Sequence, residues 1–79
     1  MDNTDILDAI ARIVEETAGV DSAEVTLGKS FADDLDIDSL AMVEINLLIE
    51  DRFDVQIPDD HVAELRTVGD AVRYVADHR

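Results

Sequence analysis

The chain has 79 residues, with 20 Asp and Glu against 6 Lys and Arg, for a formal net charge of -14 at pH 7. That length makes one domain over residues 1–79 and excludes two lobes with a cleft between them. The charge repels nucleic-acid phosphates and anionic membrane surfaces, and a 47% hydrophobic content separates the chain from disordered acidic tails.

The first element reads as an amphipathic helix. Asn3 or Thr4 supplies its cap, Ile6, Ile10, Ile13, Val14 and Thr17 recur at a helical period, and Gly19 closes it. Residues 20 to about 37 hold no sustained period. Val25, Leu27, Phe31, Leu35 and Ile37 stand singly among small and acidic residues, which predicts a long loop anchored to the core at intervals, with room for a short helical turn. Asp38 or Ser39 opens a second helix that runs to about Phe53. At about 100° per residue its apolar side chains divide into two stripes. Met42, Ile45, Ile49 and Phe53 fall on one side, with Leu40 and Leu47 nearly opposite beside Glu44 and Asp51. A single core cannot bury both.

Pro58 begins a short third element, with Asp59 and Asp60 at its start and Val62 and Leu65 as anchors. Thr67-Val68-Gly69-Asp70 resembles a capping box in which Asp replaces the longer Glu, and it introduces a last helix with Val68, Val72 and Val75 on one face. Val55-Gln56-Ile57 alternates but is too short for a strand. The expected fold is all-α, a small four-helix bundle of three longer helices and one short third helix, with a long loop between helices 1 and 2.

The chain contains no cysteine, which excludes disulfide staples, thiolate metal ligands and cysteine nucleophiles. Met1-Asp2-Asn3-Thr4-Asp5 lacks the basic start of a secretory signal, and apolar runs such as Leu47-Leu48-Ile49 are too short to span a bilayer. A cytoplasmic location without membrane insertion is expected. Asp34-Leu35-Asp36-Ile37-Asp38 begins like an EF-hand loop, but Ser39 stands where the turn needs Gly and Ile45 where it needs a bidentate Glu. No specific metal site is expected, only diffuse, weak attraction of divalent cations to the Asp cluster. His61 and His78, without Cys at ligand spacing, read as surface residues.

Two features remain open on the residues alone. Ser39 is either a plain helix cap or a nucleophile or attachment point, and no Gly-x-Ser-x-Gly elbow surrounds it. Ten of the acidic residues lie between Asp33 and Asp60, with Arg52 as the single basic residue among them. Such a run is either a solvated face or a docking site. Leu40, Glu44, Leu47 and Asp51 share one helix face, which suits a basic and partly apolar partner, unless Leu40 and Leu47 pack under the long loop.

The segment Asp34-Leu35-Asp36-Ile37-Asp38-Ser39-Leu40-Ala41-Met42-Val43-Glu44 resembles the attachment motif of acyl carrier proteins, whose core is Asp-Ser-Leu at the start of the second helix. Lys29-Ser30-Phe31 with the Asp-Asp-Leu that follows resembles the family's loop before the motif. Phe53-Asp54-Val55-Gln56-Ile57-Pro58-Asp59 resembles its passage into the third helix, and Thr67-Val68-Gly69-Asp70 its entry into the fourth. The likeness covers essentially the whole chain and is most similar to actinobacterial carriers of dissociated, type II fatty-acid synthases.

The resemblance implies that Ser39 carries a 4′-phosphopantetheine arm. A phosphopantetheinyl transferase would install it from coenzyme A with Mg²⁺, the serine hydroxyl attacking the pyrophosphate. The arm's thiol would hold the growing acyl chain as a thioester, so that a cysteine-free chain could serve thiol chemistry. The protein would be a carrier and a substrate of synthase enzymes, not an enzyme, and would act as a monomer. Asp38 would support the attachment turn. Leu40, Glu44, Leu47 and Asp51, with Asp36, would form the face met by basic patches on ketosynthases, an acyltransferase, reductases and a dehydratase. Ala41 departs from the acid that many bacterial fatty-acid carriers have there. A carrier for a polyketide pathway, with the same chemistry, and an acidic interaction protein in which Ser39 is only a cap are the alternatives. Whether the core parts to admit an acyl chain is also open.

Overall fold

The first helix, α1 (Asn3–Ala18), is capped one residue earlier than its sequence suggests. The cap is Asp2, not Asn3 or Thr4. Its carboxylate accepts the Asp5 N–H at 3.0 Å, and the Asp5 carboxylate accepts the Asp2 N–H at 3.5 Å. Two carboxylates bonding each other's backbone form a reciprocal box, which places Asn3 and Thr4 inside the first turn. Gly19 ends the helix in the left-handed conformation, φ 73°, and donates its N–H to the Glu15 carbonyl.

This computed structural model describes residues 2–78, the side chain of Asp59 apart. After α1 the chain makes a 3₁₀ turn at Ser22–Glu24 inside the long loop, then forms α2 (Ser39–Phe53), α3 (Asp59–Val62) and α4 (Val68–His78). Asp54 stops α2 with φ 55°, a left-handed conformation that Asp tolerates better than most residues. Val55 and Ile57 then point into the core while Gln56 faces out, so the short alternation marks an extended connector rather than a strand.

Burial follows the predicted stripes. α1 packs against both α4 and α2. Ile6, Ile10 and Val14 of α1, Ile45 and Ile49 of α2, and Val68 and Val75 of α4 are essentially inaccessible to solvent. Fully burying each such side chain stabilises the fold by about 1.5–3 kcal/mol, which is how a chain this small offsets its ordering entropy.

The long loop is held in two ways. Val25, Phe31, Leu35 and Ile37 are buried as anchors. Leu27 is not an anchor of that kind, because its side chain is half exposed. Its backbone is what is tied down: the Leu27 carbonyl accepts the Gly69 N–H at 2.9 Å. Lys29 accepts from Val68 N–H at 2.9 Å, Phe31 N–H donates to Arg66 at 3.0 Å, and Ser30 pairs with Thr67 in an isolated antiparallel bridge. This backbone splice joins the loop to the entry of α4. The anticipated capping box completes it, with Thr67 N–H donating to the Asp70 carboxylate and Asp70 N–H to the Thr67 hydroxyl, each at 3.1 Å. Asp is therefore long enough to close the box here.

Candidate functional site

Leu35 and Ile37 plunge into the core on either side of Asp36, which takes a left-handed φ of 55°. That arrangement fixes the direction in which the chain leaves the core. Asp38 follows in an extended conformation, and the helix begins at Ser39. The Asp38 carboxylate accepts the Ala41 N–H at 2.8 Å, while its carbonyl accepts the Met42 N–H at 3.0 Å. A helix leaves its first-turn donors without intrahelical acceptors. Among the described residues, the N–H groups of Ser39 and Leu40 take no acceptor within the chain. Ser39 thus sits exposed at the positive end of a 15-residue helix, with two free donors beside it.

All the residues singled out from the sequence lie on the surface of this region. Asp36, Asp38, Ser39, Leu40, Glu44, Leu47 and Asp51 are all exposed. Leu40 is 81% exposed and Leu47 59%, so neither packs under the long loop. Val43, 56% exposed, widens the same apolar stripe, about 60° round the helix from Leu40. The residues alone did not single it out, although the same wheel arithmetic places it there.

Ser39 also lines a groove of ≈ 580 Å³ whose walls include Phe31, Ile37, Met42, Val62 and Leu65. A smaller concavity of ≈ 190 Å³ continues along α2 and shares Val43 and Val62 with the first. Asn46 lies in this second stretch, another residue the sequence reading missed. A concavity of ≈ 400 Å³ elsewhere is lined by Asp5, Asp8, Arg12, Glu16 and Arg52 among others, and does not include Ser39.

Neither histidine lines the Ser39 groove. His61 and His78 instead flank Tyr74, with ring centroids 5.7 and 4.0 Å away, and the Tyr74 hydroxyl donates to the Gln56 carbonyl at 2.6 Å. Among the described residues, no three His, Asp or Glu side chains converge as a metal site. The serine therefore has an accessible hydroxyl without an imidazole base beside it. The free donors at the α2 start, the exposed hydroxyl and the apolar groove together fit a phosphate-linked arm with an apolar load.

A family model described as the phosphopantetheine attachment site matches residues 8–75. The acyl carrier protein of Thermobifida fusca (strain YX) is 56% identical over 71 residues, covering 90% of each chain. The chain belongs to the acyl carrier protein family. The acyl carrier protein of Rhodococcus erythropolis is 54% identical over 90% of this chain and 78% of its own length. A meromycolate extension acyl carrier protein of Mycobacterium leprae is 55% identical, and this chain spans 62% of that longer protein. The solved structure of the acyl carrier protein from Enterococcus faecalis superposes with a TM-score of 0.83 at 30% identity, covering 100% of both chains.

The carrier family explains how a cysteine-free chain serves thiol chemistry. Its cofactor is 4′-phosphopantetheine, whose thiol carries the acyl group as a thioester when bound. An acyl carrier protein is a substrate and shuttle for synthase enzymes rather than a catalyst. Among the described residues, no helix is long and apolar enough to cross a membrane.

Proposed function

We propose that the chain is a discrete carrier of type II fatty-acid synthesis, working as a cytoplasmic monomer, with Ser39 as the attachment residue. The observation that carries this reading is the placement of an exposed Ser39 at the first position of α2, where it lines a mostly apolar groove. In the loading step, the Ser39 hydroxyl oxygen forms a bond to the phosphorus of coenzyme A nearest pantetheine. The pyrophosphate P–O bond breaks, adenosine 3′,5′-bisphosphate leaves with Mg²⁺ on its charge, and the serine proton passes to a base of the transferase. Asp38 holds the first turn so that Ser39 faces solvent.

Partner enzymes meet the stripe of Leu40, Glu44, Leu47 and Asp51, flanked by Asp36 and widened by Val43. The acids guide encounter with basic patches on the transferase, ketosynthases, acyltransferase, reductases and dehydratase, and the leucines supply a small apolar contact. Successive enzymes must release the carrier, which a small interface allows.

The deciding experiment uses coenzyme A, Mg²⁺ and a promiscuous phosphopantetheinyl transferase, followed by intact-mass measurement. Wild type is expected to gain the mass of one arm, and Ser39→Ala none. A folded wild-type chain that gains nothing, or a Ser39→Ala chain that gains the same mass, removes Ser39 from this role.

A further inference from the structure

Among the described residues, Arg66 is the one basic residue that lines the groove at Ser39, in a chain with 6 Lys and Arg against 20 Asp and Glu. Its backbone is held on both sides. The N–H donates to the Glu64 carbonyl at 3.0 Å and to the Asp70 carboxylate at 3.3 Å, and the carbonyl accepts the Phe31 N–H at 3.0 Å. These bonds root Arg66 beside Phe31, which lines the same groove. The side chain itself is exposed, and among the described residues no carboxylate lies within ion-pair distance of its guanidinium. So acidic a chain leaves a cation unpaired at the wall of its attachment groove.

The charges around the groove decide which anion this cation can meet. A phosphodiester on Ser39 adds a negative charge where Asp33, Asp36 and Asp38 already stand exposed. The free N–H groups of Ser39 and Leu40 offer the phosphate only the partial charge of a helix start. Arg66 supplies a full positive charge. Its planar fork matches two phosphate oxygens at once, and a charged pair of this kind is stronger than a bond to the neutral carbonyls of the arm. The phosphate is one bond from the serine oxygen whatever the load, so the contact is independent of the cargo.

Resting on the reading of Ser39 as the attachment residue, we infer that Arg66 binds the phosphodiester of the arm from the segment between α3 and α4. The guanidinium donates to the phosphate oxygens while the start of α2 faces them from the other side. Held in this way, the root of the arm is directed along the groove toward Val43 and Val62 instead of into solvent. The contact is exposed, so it is weak and salt-sensitive, and a partner enzyme can lift the arm away from it.

The test compares apo protein with protein armed by coenzyme A, Mg²⁺ and a phosphopantetheinyl transferase, in wild type, Arg66→Gln, Arg66→Lys and Arg73→Gln. Arg73 is exposed and does not line this groove, so its variant controls for the loss of one positive charge. Intact mass verifies the arm. In wild type at low salt the Arg66 Nε–H signal is expected to shift between the apo and armed forms. That shift should fade at about 1 M NaCl, where the screening length is about 3 Å. The single ³¹P signal of the armed protein should move in Arg66→Gln and stay in place in Arg73→Gln. Arg66→Lys, which keeps the charge without the fork, should fall between. Attachment should change Tm about 2–5 °C less favourably in Arg66→Gln than in wild type, as one exposed charge pair gives in a domain of this size.

A ³¹P signal that is the same in wild type and Arg66→Gln overturns the inference and leaves the attachment reading intact. Equal ³¹P movement in Arg73→Gln reduces the effect to net charge and overturns it too. An Arg66 signal that moves while the ³¹P signal does not puts the guanidinium on a carbonyl of the arm, against the inference. The wild-type comparison needs no variant to fold: an Arg66 signal unmoved by attachment is sufficient to reject the contact. A chain that accepts no arm defeats both readings, and the mass measurement identifies that outcome.

Discussion

Gly69 donates its backbone N–H to the Leu27 carbonyl at 2.9 Å, and a Cβ built on Gly69 would stand 2.9 Å from that same oxygen. The contact is between backbones, so no flexible side chain can yield. Glycine is required here by close approach, since its φ is not in the left-handed range. The bond splices the long loop to the start of α4.

Gly69→Ala is therefore expected to destabilise the chain by about 1–3 kcal/mol, through displacement of the loop or loss of the Leu27 bond. In a domain of this size about 1 kcal/mol shifts Tm by roughly 4–8 °C. Thermal melting checks it, and an unchanged Tm would show that the splice yields without cost.

Asp38 is expected to matter twice, for stability and for presentation of Ser39. Its carboxylate caps α2 through Ala41, so Asp38→Ala should lower stability by about 1 kcal/mol. Asp38→Asn keeps a capping acceptor and should melt close to wild type. Transferase loading should slow in Asp38→Ala even at temperatures where the variant is folded. Equal loading rates for Asp38→Ala and wild type would confine this residue to stability.

The docking stripe makes a kinetic prediction. Glu44 and Asp51 are exposed and take no part in the core, so reversing both to Lys should preserve the fold and, by relieving repulsion, leave Tm no lower than that of wild type. The kcat/KM of a partner ketosynthase for the variant should fall by roughly tenfold or more at low salt, with a weaker dependence on ionic strength than wild type shows. Steady-state kinetics across a salt series would reject the stripe if both curves coincided.

Charge itself should limit stability. Among the described residues, the side-chain contact of ion-pair type is His61 to Glu64 at 3.5 Å, which pairs opposite charges only when the imidazole is protonated, against a formal net charge of -14 counted with neutral His. Self-repulsion is therefore little compensated internally. Raising NaCl from about 10 to about 150 mM, which shortens the screening length from about 30 to about 8 Å, should raise Tm. A flat Tm over that range would mean the acids are already spaced widely enough to ignore one another.

Periodicity was enough to read the longer helices from residues alone, although the cap of α1 lies one residue earlier than the residues suggest. The 3.6-residue spacing of Ile6, Ile10 and Val14 needs no partner to be recognised, and Gly19 ends its helix by local conformation. The opposed stripes of α2 were legible for the same reason. A helix presents residues at fixed angles, so Ile45 and Leu47 could not face one core together. Ser39 at a helix start beside an acidic, leucine-bearing face could be read without coordinates, and so could its likeness to a carrier motif.

Other features arise only where segments distant in the chain meet. No local pattern says that Leu27 is held by its carbonyl instead of its side chain, because that carbonyl's partner is 42 positions away at Gly69. Val43 and Val62 join two stretches of groove only once α3 lies beside α2. Asn46 looks like an ordinary polar residue at the edge of the core stripe until packing withdraws water from its amide. Sequence determined which faces exist, because local dihedral geometry sets them; tertiary packing decided which polar groups lost their solvent, because desolvation depends on every neighbour at once.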